Sequence, residues 1–303
     1  MAGVGAATAV GIESGTRALL KDLLSVFKLR IGVAIMLCAV AGLAVTPGAA
    51  LETWQIVTLA LAVLVSSASA GAFNQYVERD LDAAMRRTAK RPFVTGRFEA
   101  GPLWLGAIVL LLALAVAAAA IATNLHAALH VFLGAIVYGV IYTVWLKRRS
   151  WTNTVVGGLA GSFAVLAGAA AVDPGLAPAP LILAAVLFLW TPPHFWSLAT
   201  ALHQDYERAK VPMLPVVIGD QAAAWVILGH TVALSLLAIL PFWFGLGWIY
   251  LAAAIAGGSF FTWHSIRLVQ TPTRAQAMRN FFASLTQLSL LLLAAIIDPL
   301  VLG

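Results

Sequence analysis

An all-α helical bundle embedded in a lipid bilayer is the fold class this sequence predicts, and three observations predict it. The 303 residues are 62% hydrophobic and only 10% charged, with a mean hydropathy of +0.95, which is more apolar surface than a soluble core of this length buries. The apolar residues come in stretches near the ~20 residues a helix needs to cross a bilayer, separated by short polar or Pro/Gly-bearing connections. The basic residues, finally, all collect on one face once those stretches are threaded through a membrane.

Residues 1–30 are expected to form a cytoplasmic or interfacial segment ahead of a transmembrane domain spanning 31–303. Residues 1–12 lack the basic start and long apolar run of a cleaved signal peptide. From Glu13 to Arg30, Arg17, Lys21, Lys28 and Arg30 alternate with Leu19, Leu20, Leu23, Leu24 and Phe27, which predicts a helix lying on the membrane surface. About nine spans follow. They run approximately from Ile31 to Thr46, Trp54 to Tyr76, Pro102 to Ala122, Leu125 to Leu146, Thr152 to Val172, Leu181 to Leu202, Ala222 to Pro241, Leu246 to Ile266 and Phe281 to Val301. The first is short, and only Asn124 and His126 mark the boundary at Leu125. Cys38, the single cysteine, falls inside a span, which excludes an intrachain disulfide and a thiolate zinc site.

Nine spans put the amino terminus and the loops after spans two, four, six and eight on one side. Those segments hold Arg17, Lys21, Lys28 and Arg30; Arg79, Arg86, Arg87, Lys90, Arg91 and Arg97; Lys147, Arg148 and Arg149; Arg208 and Lys210; and Arg267, Arg274 and Arg279. Together these are all 18 Lys and Arg of the chain. By the positive-inside rule that face is cytoplasmic, while the other, with Glu52, Asp173 and Asp298, has no basic residue. A wrong span count scatters the charges, so their parity supports the count. The net charge of +6 therefore reports topology, and the expected surroundings are membrane lipid with no nucleic-acid partner. None of the 12 Asp and Glu falls at a predicted bilayer centre, where a charge-coupled transporter keeps its ion-binding groups. Acids gathered at one rim suit a site that takes a charged head from water and an oily tail from the membrane.

Span two ends in Asn74-Gln-Tyr-Val-Glu78-Arg-Asp-Leu-Asp82, followed by Arg87, Arg91 and Pro92. On a continuing helix Asn74, Glu78 and Asp82, at i, i+4 and i+8, form one stripe of oxygen ligands, and Asp80 points elsewhere. Magnesium takes oxygen ligands and is held by one or two carboxylates plus substrate phosphates. The stripe thus reads as half of a Mg2+–diphosphate site, with the Arg87/Arg91 pair as guanidinium donors to the same diphosphate. The alternative is a set of local ion pairs that solvate a helix end; three ligands on one stripe followed directly by paired arginines favour the metal site.

Span six ends in the matching run His203-Gln-Asp205-Tyr206-Glu207-Arg208-Ala-Lys210, again with proline beyond it. Four spans separate the two runs, so both emerge at one face and suggest a duplicated four-helix unit. Asp205 is placed to reach a second metal or a bridging water, and Tyr206 to bond a phosphate oxygen.

At these residues the chain resembles the protoheme IX farnesyltransferase (heme O synthase) branch of the UbiA prenyltransferase superfamily. The resemblance rests on Lys28-Leu-Arg30-Ile31, on N-x-x-x-E-R-D-x-D with M-x-R-T-x-x-R-P across 74–92, and on Tyr142-Thr143 with Leu146-Lys147-Arg148. It continues through Gly157-Gly158-Leu-Ala-Gly161, Leu189-Trp-Thr-Pro-Pro-His194-Phe-Trp196 and Asp205-Tyr206 with Val211-Pro-Met-Leu-Pro-Val-Val217. The Trp-Thr-Pro-Pro-His-Phe-Trp run is specific to the heme branch. Three positions depart from the pattern: Leu29 stands where proline is usual, Phe163-Ala-Val165 replaces a proline pair, and Ala201 stands one turn before Asp205, where most of the superfamily brings another acid.

What the resemblance implies is transfer of a farnesyl group from farnesyl diphosphate to a vinyl group of heme B, giving heme O and diphosphate, in a UbiA-type bundle of a bacterial inner membrane with its site facing the cytoplasm. A heme A synthase is the implied downstream partner. Magnesium and Arg/Lys neutralise the charge developing on the leaving diphosphate, while apolar walls and aromatic faces protect the allylic cation. Asn74, Glu78, Asp82 and Asp205 are the expected metal-binding and catalytic residues. Arg30, Arg87, Arg91, Tyr142, Lys147, Arg148, His194 and Tyr206 are the expected substrate contacts, with Tyr76 and Tyr138 as further candidate aromatics. Lys147 and Arg148 also satisfy the positive-inside pattern. Pro192 and Pro193 cannot donate to the carbonyls of Phe188 and Leu189, so a kink is expected there, and His194 either contacts heme or bonds a freed carbonyl. The rival readings are a related enzyme acting on a quinone precursor or other aromatic acceptor, and a heme carrier without catalysis, which has no use for Asn74, Glu78 or Asp82.

Overall fold

The computed structural model describes residues 16–302; the expectations for residues 1–12 and for the start of the surface helix at Glu13 lie outside the described residues. Among the described residues every regular element is helical. In order these are α1 (Thr16–Val26), α2 (Leu29–Ala44), α3 (Thr53–Val77), α4 (Arg79–Ala84), α5 (Pro102–Ala122), α6 (Leu125–Ile136) running into a π-helical segment (Val137–Leu146), α7 (Asn153–Gly157), α8 (Leu159–Val172), α9 (Pro178–Ala201), α10 (His203–Arg208), α11 (Leu214–Ile218), α12 (Asp220–Leu237), a 3-10 turn (Leu240–Phe244), α13 (Trp248–Gln270) and α14 (Arg274–Leu302).

Eight helical stretches are long and apolar enough to span a bilayer by themselves, and α1 with α2 forms a ninth crossing bent by 48°. The short α2, 16 residues, is the reason the first predicted span came up short. Elsewhere the helices match the predicted spans or overrun them. The last helix starts at Arg274, well before the apolar run that begins at Phe281, because a helix satisfies its own backbone in water as well as in lipid. Hydropathy marks the part in lipid and not the helix end. Leu103, Ile121, Leu125 and Trp248 turn outward and are at least 70% exposed, a surface only lipid can solvate.

Neighbours in sequence are neighbours in space. The nine crossings follow one another around a ring, α2 against α3, α3 against α5, and so on to α13 against α14, and α14 closes it against α2. Inside the ring α2 also packs on α8, and α9 on α14. Without a hydrophobic drive between helices in lipid, close packing of small residues must hold such contacts. The α2–α8 crossing shows it: a Cβ added at Gly168 would sit 1.8 Å from the Ala39 carbonyl oxygen, and one at Gly42 2.1 Å from that of Val165.

Candidate functional site

The stripe after span two is built by a near-continuous helix. Glu78 closes α3 and opens α4, its N–H donating to the Asn74 carbonyl at 3.0 Å and its carbonyl accepting from the Asp82 N–H at 2.8 Å. Helical spacing therefore survives the junction, and Asn74, Glu78 and Asp82 face inward, each no more than 3% exposed. Arg79 and Asp80 face out.

Each of the three buried ligands is met by a cation. Lys28 donates to Asn74 Oδ1 at 2.5 Å, Lys147 pairs with Glu78 Oε2 at 2.5 Å, and Arg91 Nη1 reaches both Asp82 oxygens at 2.7 and 2.6 Å. Asn74 also donates to Thr143 Oγ1 at 3.0 Å. Outside this row, Arg148 grips Asp80 through two bonds of 2.6 and 2.7 Å at the exposed rim. That bond holds the Asp80 carboxyl below its usual range and raises the Arg148 guanidinium in turn.

Two backbone irregularities deliver the cations. The break between α1 and α2 leaves Lys28 in the left-handed region, φ 48° and ψ 41°, a conformation costing a side-chain-bearing residue about 1–2 kcal/mol. Its ammonium is thereby turned onto Asn74 and onto the Tyr138 hydroxyl at 3.1 Å. Across the ring the Val137–Leu146 segment winds as a π-helix, with the Lys147 N–H on the Tyr142 carbonyl at 2.9 Å. This wider turn brings Tyr138, Tyr142, Thr143 and Lys147 to one face. Tyr138 and Tyr142 stack at 5.5 Å, and Lys28 and Lys147 lie over their respective rings, each 5.6 Å from the centroid.

The second run meets the first. Tyr206, on α10, packs in one buried cluster with Leu81 and Met85 from the first run and with Val211, Met213 and Leu214 beyond it. Glu78, Tyr206, Arg87 and Arg91 all act electrostatically on Tyr142, so charged groups from both runs surround one hydroxyl. Asp205 is mostly buried and pairs with Arg208 at 3.5 Å. Arg87 and Arg30 are exposed, and among the described residues neither is seen in a hydrogen bond or ion pair. Of the two basic residues flanking Leu29, it is Lys28 that enters the site.

The donor set fits an ion like magnesium better than zinc. Among the described residues no three His, Cys, Asp or Glu side chains gather tightly enough to hold a metal unaided, as a structural zinc site requires. Magnesium instead keeps waters and draws on substrate phosphates. One atom is ready for it: Glu78 Oε1 is buried and has no hydrogen-bond partner, a cost that a cation would relieve.

The Trp-Thr-Pro-Pro-His-Phe-Trp run lies in α9, which continues unbroken from Pro178 to Ala201 with both prolines inside it. His194 is buried and bonds neither freed carbonyl; its Nδ1 lies 2.7 Å from the hydroxyl of Ser284 on α14. Lys28, Thr143, Tyr138 and Ser284 are the site residues the sequence left unmarked or marked weakly, because each owes its place to a backbone irregularity or to a helix far away in the chain.

Residues 35–290 match the UbiA prenyltransferase family. The chain is 59% identical over 284 residues to protoheme IX farnesyltransferase 2 of Paramagnetospirillum magneticum, covering 94% of this chain and 99% of that protein. It is 46% identical over 282 residues to protoheme IX farnesyltransferase 1 of the same organism, covering 92% and 98%. Among solved structures it is similar to a digeranylgeranylglyceryl phosphate synthase, with a TM-score of 0.76 at 16% identity over 92% of this chain and 98% of the other. It is also similar to a UbiA homolog from Archaeoglobus fulgidus bound to GPP and Mg2+, with a TM-score of 0.71 at 18% identity over 91% and 99%.

Proposed function

The chain belongs to the UbiA prenyltransferase family, and from that premise we propose that it moves a farnesyl group from farnesyl diphosphate to a vinyl group of heme B, releasing diphosphate and giving heme O. The observation that carries the donor half is the row Lys28–Asn74, Lys147–Glu78 and Arg91–Asp82, three oxygen ligands each paired with a cation at one rim. The acceptor rests on the two farnesyltransferase relatives named above and on the Trp-Thr-Pro-Pro-His-Phe-Trp run. With every Lys and Arg on this face, the site opens to the cytoplasm, at the inner membrane of a bacterium.

The row works as an exchange of partners. In the substrate-free chain the carboxylates neutralise the cations; when diphosphate arrives, Lys28, Lys147 and Arg91 turn to its oxygens and leave Asn74, Glu78 and Asp82 to face a divalent ion, with Asp205 opposite. Arg87 and Tyr206 add donors from the two loops; Arg30 and Arg148 supply positive potential at the mouth. A bound Mg2+ supplies charge neutralisation of the leaving diphosphate. The stacked Tyr138 and Tyr142 offer π faces to the allylic cation, and the apolar walls keep water from it.

Two measurements test this reading. Membranes holding the chain, given heme B and farnesyl diphosphate, are expected to form heme O by chromatography and mass only when magnesium is present; product from a quinone precursor and none from heme would transfer the assignment to another acceptor. For the exchange, Lys147→Met is expected to weaken binding of inorganic diphosphate about 10- to 100-fold, the worth of a charge-assisted bond. The same change should tighten uptake of Mn2+ given alone, because Glu78 is then free. Calorimetry showing both affinities falling together would refute the exchange.

A further inference from the structure

His194 is tied down on every side but one. Its ring is sandwiched between Trp190, at 4.3 Å, and Phe281, at 4.4 Å, both nearly parallel, and Phe195 meets it edge-on at 5.0 Å. Trp190 is itself held, its indole N–H donating to the Ser284 carbonyl at 2.9 Å. The hydrogen-bond count then fixes the tautomer. The only proton of the Ser284 hydroxyl goes to the Phe281 carbonyl at 2.6 Å, so toward His194 Nδ1, at 2.7 Å, that oxygen acts as acceptor. Nδ1 therefore carries the ring proton, and the lone pair is on Nε2.

Among the described residues Nε2 has no hydrogen-bond partner, and it is absent from the fully buried unpaired atoms although the residue is only 7% exposed. The lone pair thus looks into accessible space from an apolar wall. A histidine serving only to join α9 to α14 gains nothing from an acceptor left unpaired there. A neutral imidazole whose far N–H is anchored by an oxygen and whose near nitrogen is free is the arrangement of a metal-ligating histidine with its orienting partner.

Building on the heme reading above, we propose that His194 Nε2 is an axial ligand to the iron of the porphyrin acceptor and that Ser284 is the positioning residue that fixes its tautomer and aim. No bond is broken in the step: the Nε2 lone pair fills an open coordination position of the iron. His194 lies seven residues before the end of α9 at Ala201, about 10 Å of helical rise below the cytoplasmic rim. Anchoring the iron at that depth holds the edge of the macrocycle under the diphosphate, where the vinyl carbon meets the cation.

The test uses the full-length chain in nanodiscs loaded with heme B, read by absorption, electron paramagnetic resonance and resonance Raman spectroscopy. The wild type is expected to show an iron–histidine signature. His194→Ala should lose it and regain a nitrogen ligand on addition of imidazole, and His194→Cys should replace it with a thiolate spectrum. Ser284→Ala should keep the ligand, shift the iron–histidine stretch and weaken heme binding about 10- to 100-fold. An unchanged axial signature in both His194 variants, from protein that melts like the wild type and still makes heme O, would overturn the ligand assignment while leaving the farnesyl transfer intact. A wild-type chain that neither binds heme nor prenylates it would instead overturn the reading on which the assignment rests.

Discussion

Glu78→Gln is expected to lower prenyl transfer by about a thousandfold, the effect of removing a preorganised charge from a site where charge develops on the leaving group. The substitution keeps the shape of a side chain that is fully buried and removes only its charge. Its amide oxygen still accepts from Lys147, so the bundle is expected to fold and melt much like the wild type. What disappears is the anionic Oε1, which has no partner in the substrate-free chain. Two residues away, Asp80 offers the comparison: it pairs with Arg148 at the open rim, with 63% of its side chain exposed. Solvent screens such a pair, so Asp80→Asn is expected to change turnover by less than about threefold. Steady-state rates of heme O formation measure both, and a Glu78→Gln enzyme within tenfold of the wild type would remove the carboxylate from the chemistry.

The second large effect is on stability. Gly168→Val forces a side chain into the α2–α8 crossing, where the first added carbon already lies 1.8 Å from a backbone oxygen. Backbone cannot swing aside as a flexible side chain does, so the helices must separate, at a cost at or beyond the ~3 kcal/mol end of the overpacking range. Because α2 follows directly from Lys28, the separation should also withdraw a cation from Asn74. Gly106→Ala is the control: its Cβ meets nothing within 4 Å, and losing a glycine from a helix stabilises by about 0.4–1 kcal/mol. Thermal unfolding in detergent should thus move in opposite directions for the two variants; a Gly168→Val protein melting with the wild type would mean that this crossing is dispensable.

The fold was legible because lipid imposes a period and a length that composition cannot disguise. Pro102–Ala122 and Leu125–Leu146 come out of hydropathy with the bounds the structure gives them. The candidate stripe was legible for a similar reason, since i, i+4, i+8 spacing needs only that the helix continue past Val77. What stayed hidden is whatever depends on a departure from regular helix or on a distant partner. Nothing in Phe27-Lys28-Leu29 announces a left-handed residue, so the choice between Lys28 and Arg30 could not be made from their order in the chain. The Ser284 hydroxyl that orients His194 is 90 residues away, and no local pattern joins them.

The π-helical stretch from Val137 to Leu146 has a consequence for how this part of the chain can vary. Such a segment holds more residues per turn than the α-helix leading into it. Removing one residue would let the stretch relax to ordinary winding and rotate everything after it by about 100°. Lys147 and Arg148 would then leave Glu78 and Asp80 together, with every side chain still present. Length, not only residue type, is therefore constrained here: an in-frame deletion of a single codon, harmless in most lipid-facing helices, would disconnect one wall of the pocket from the other.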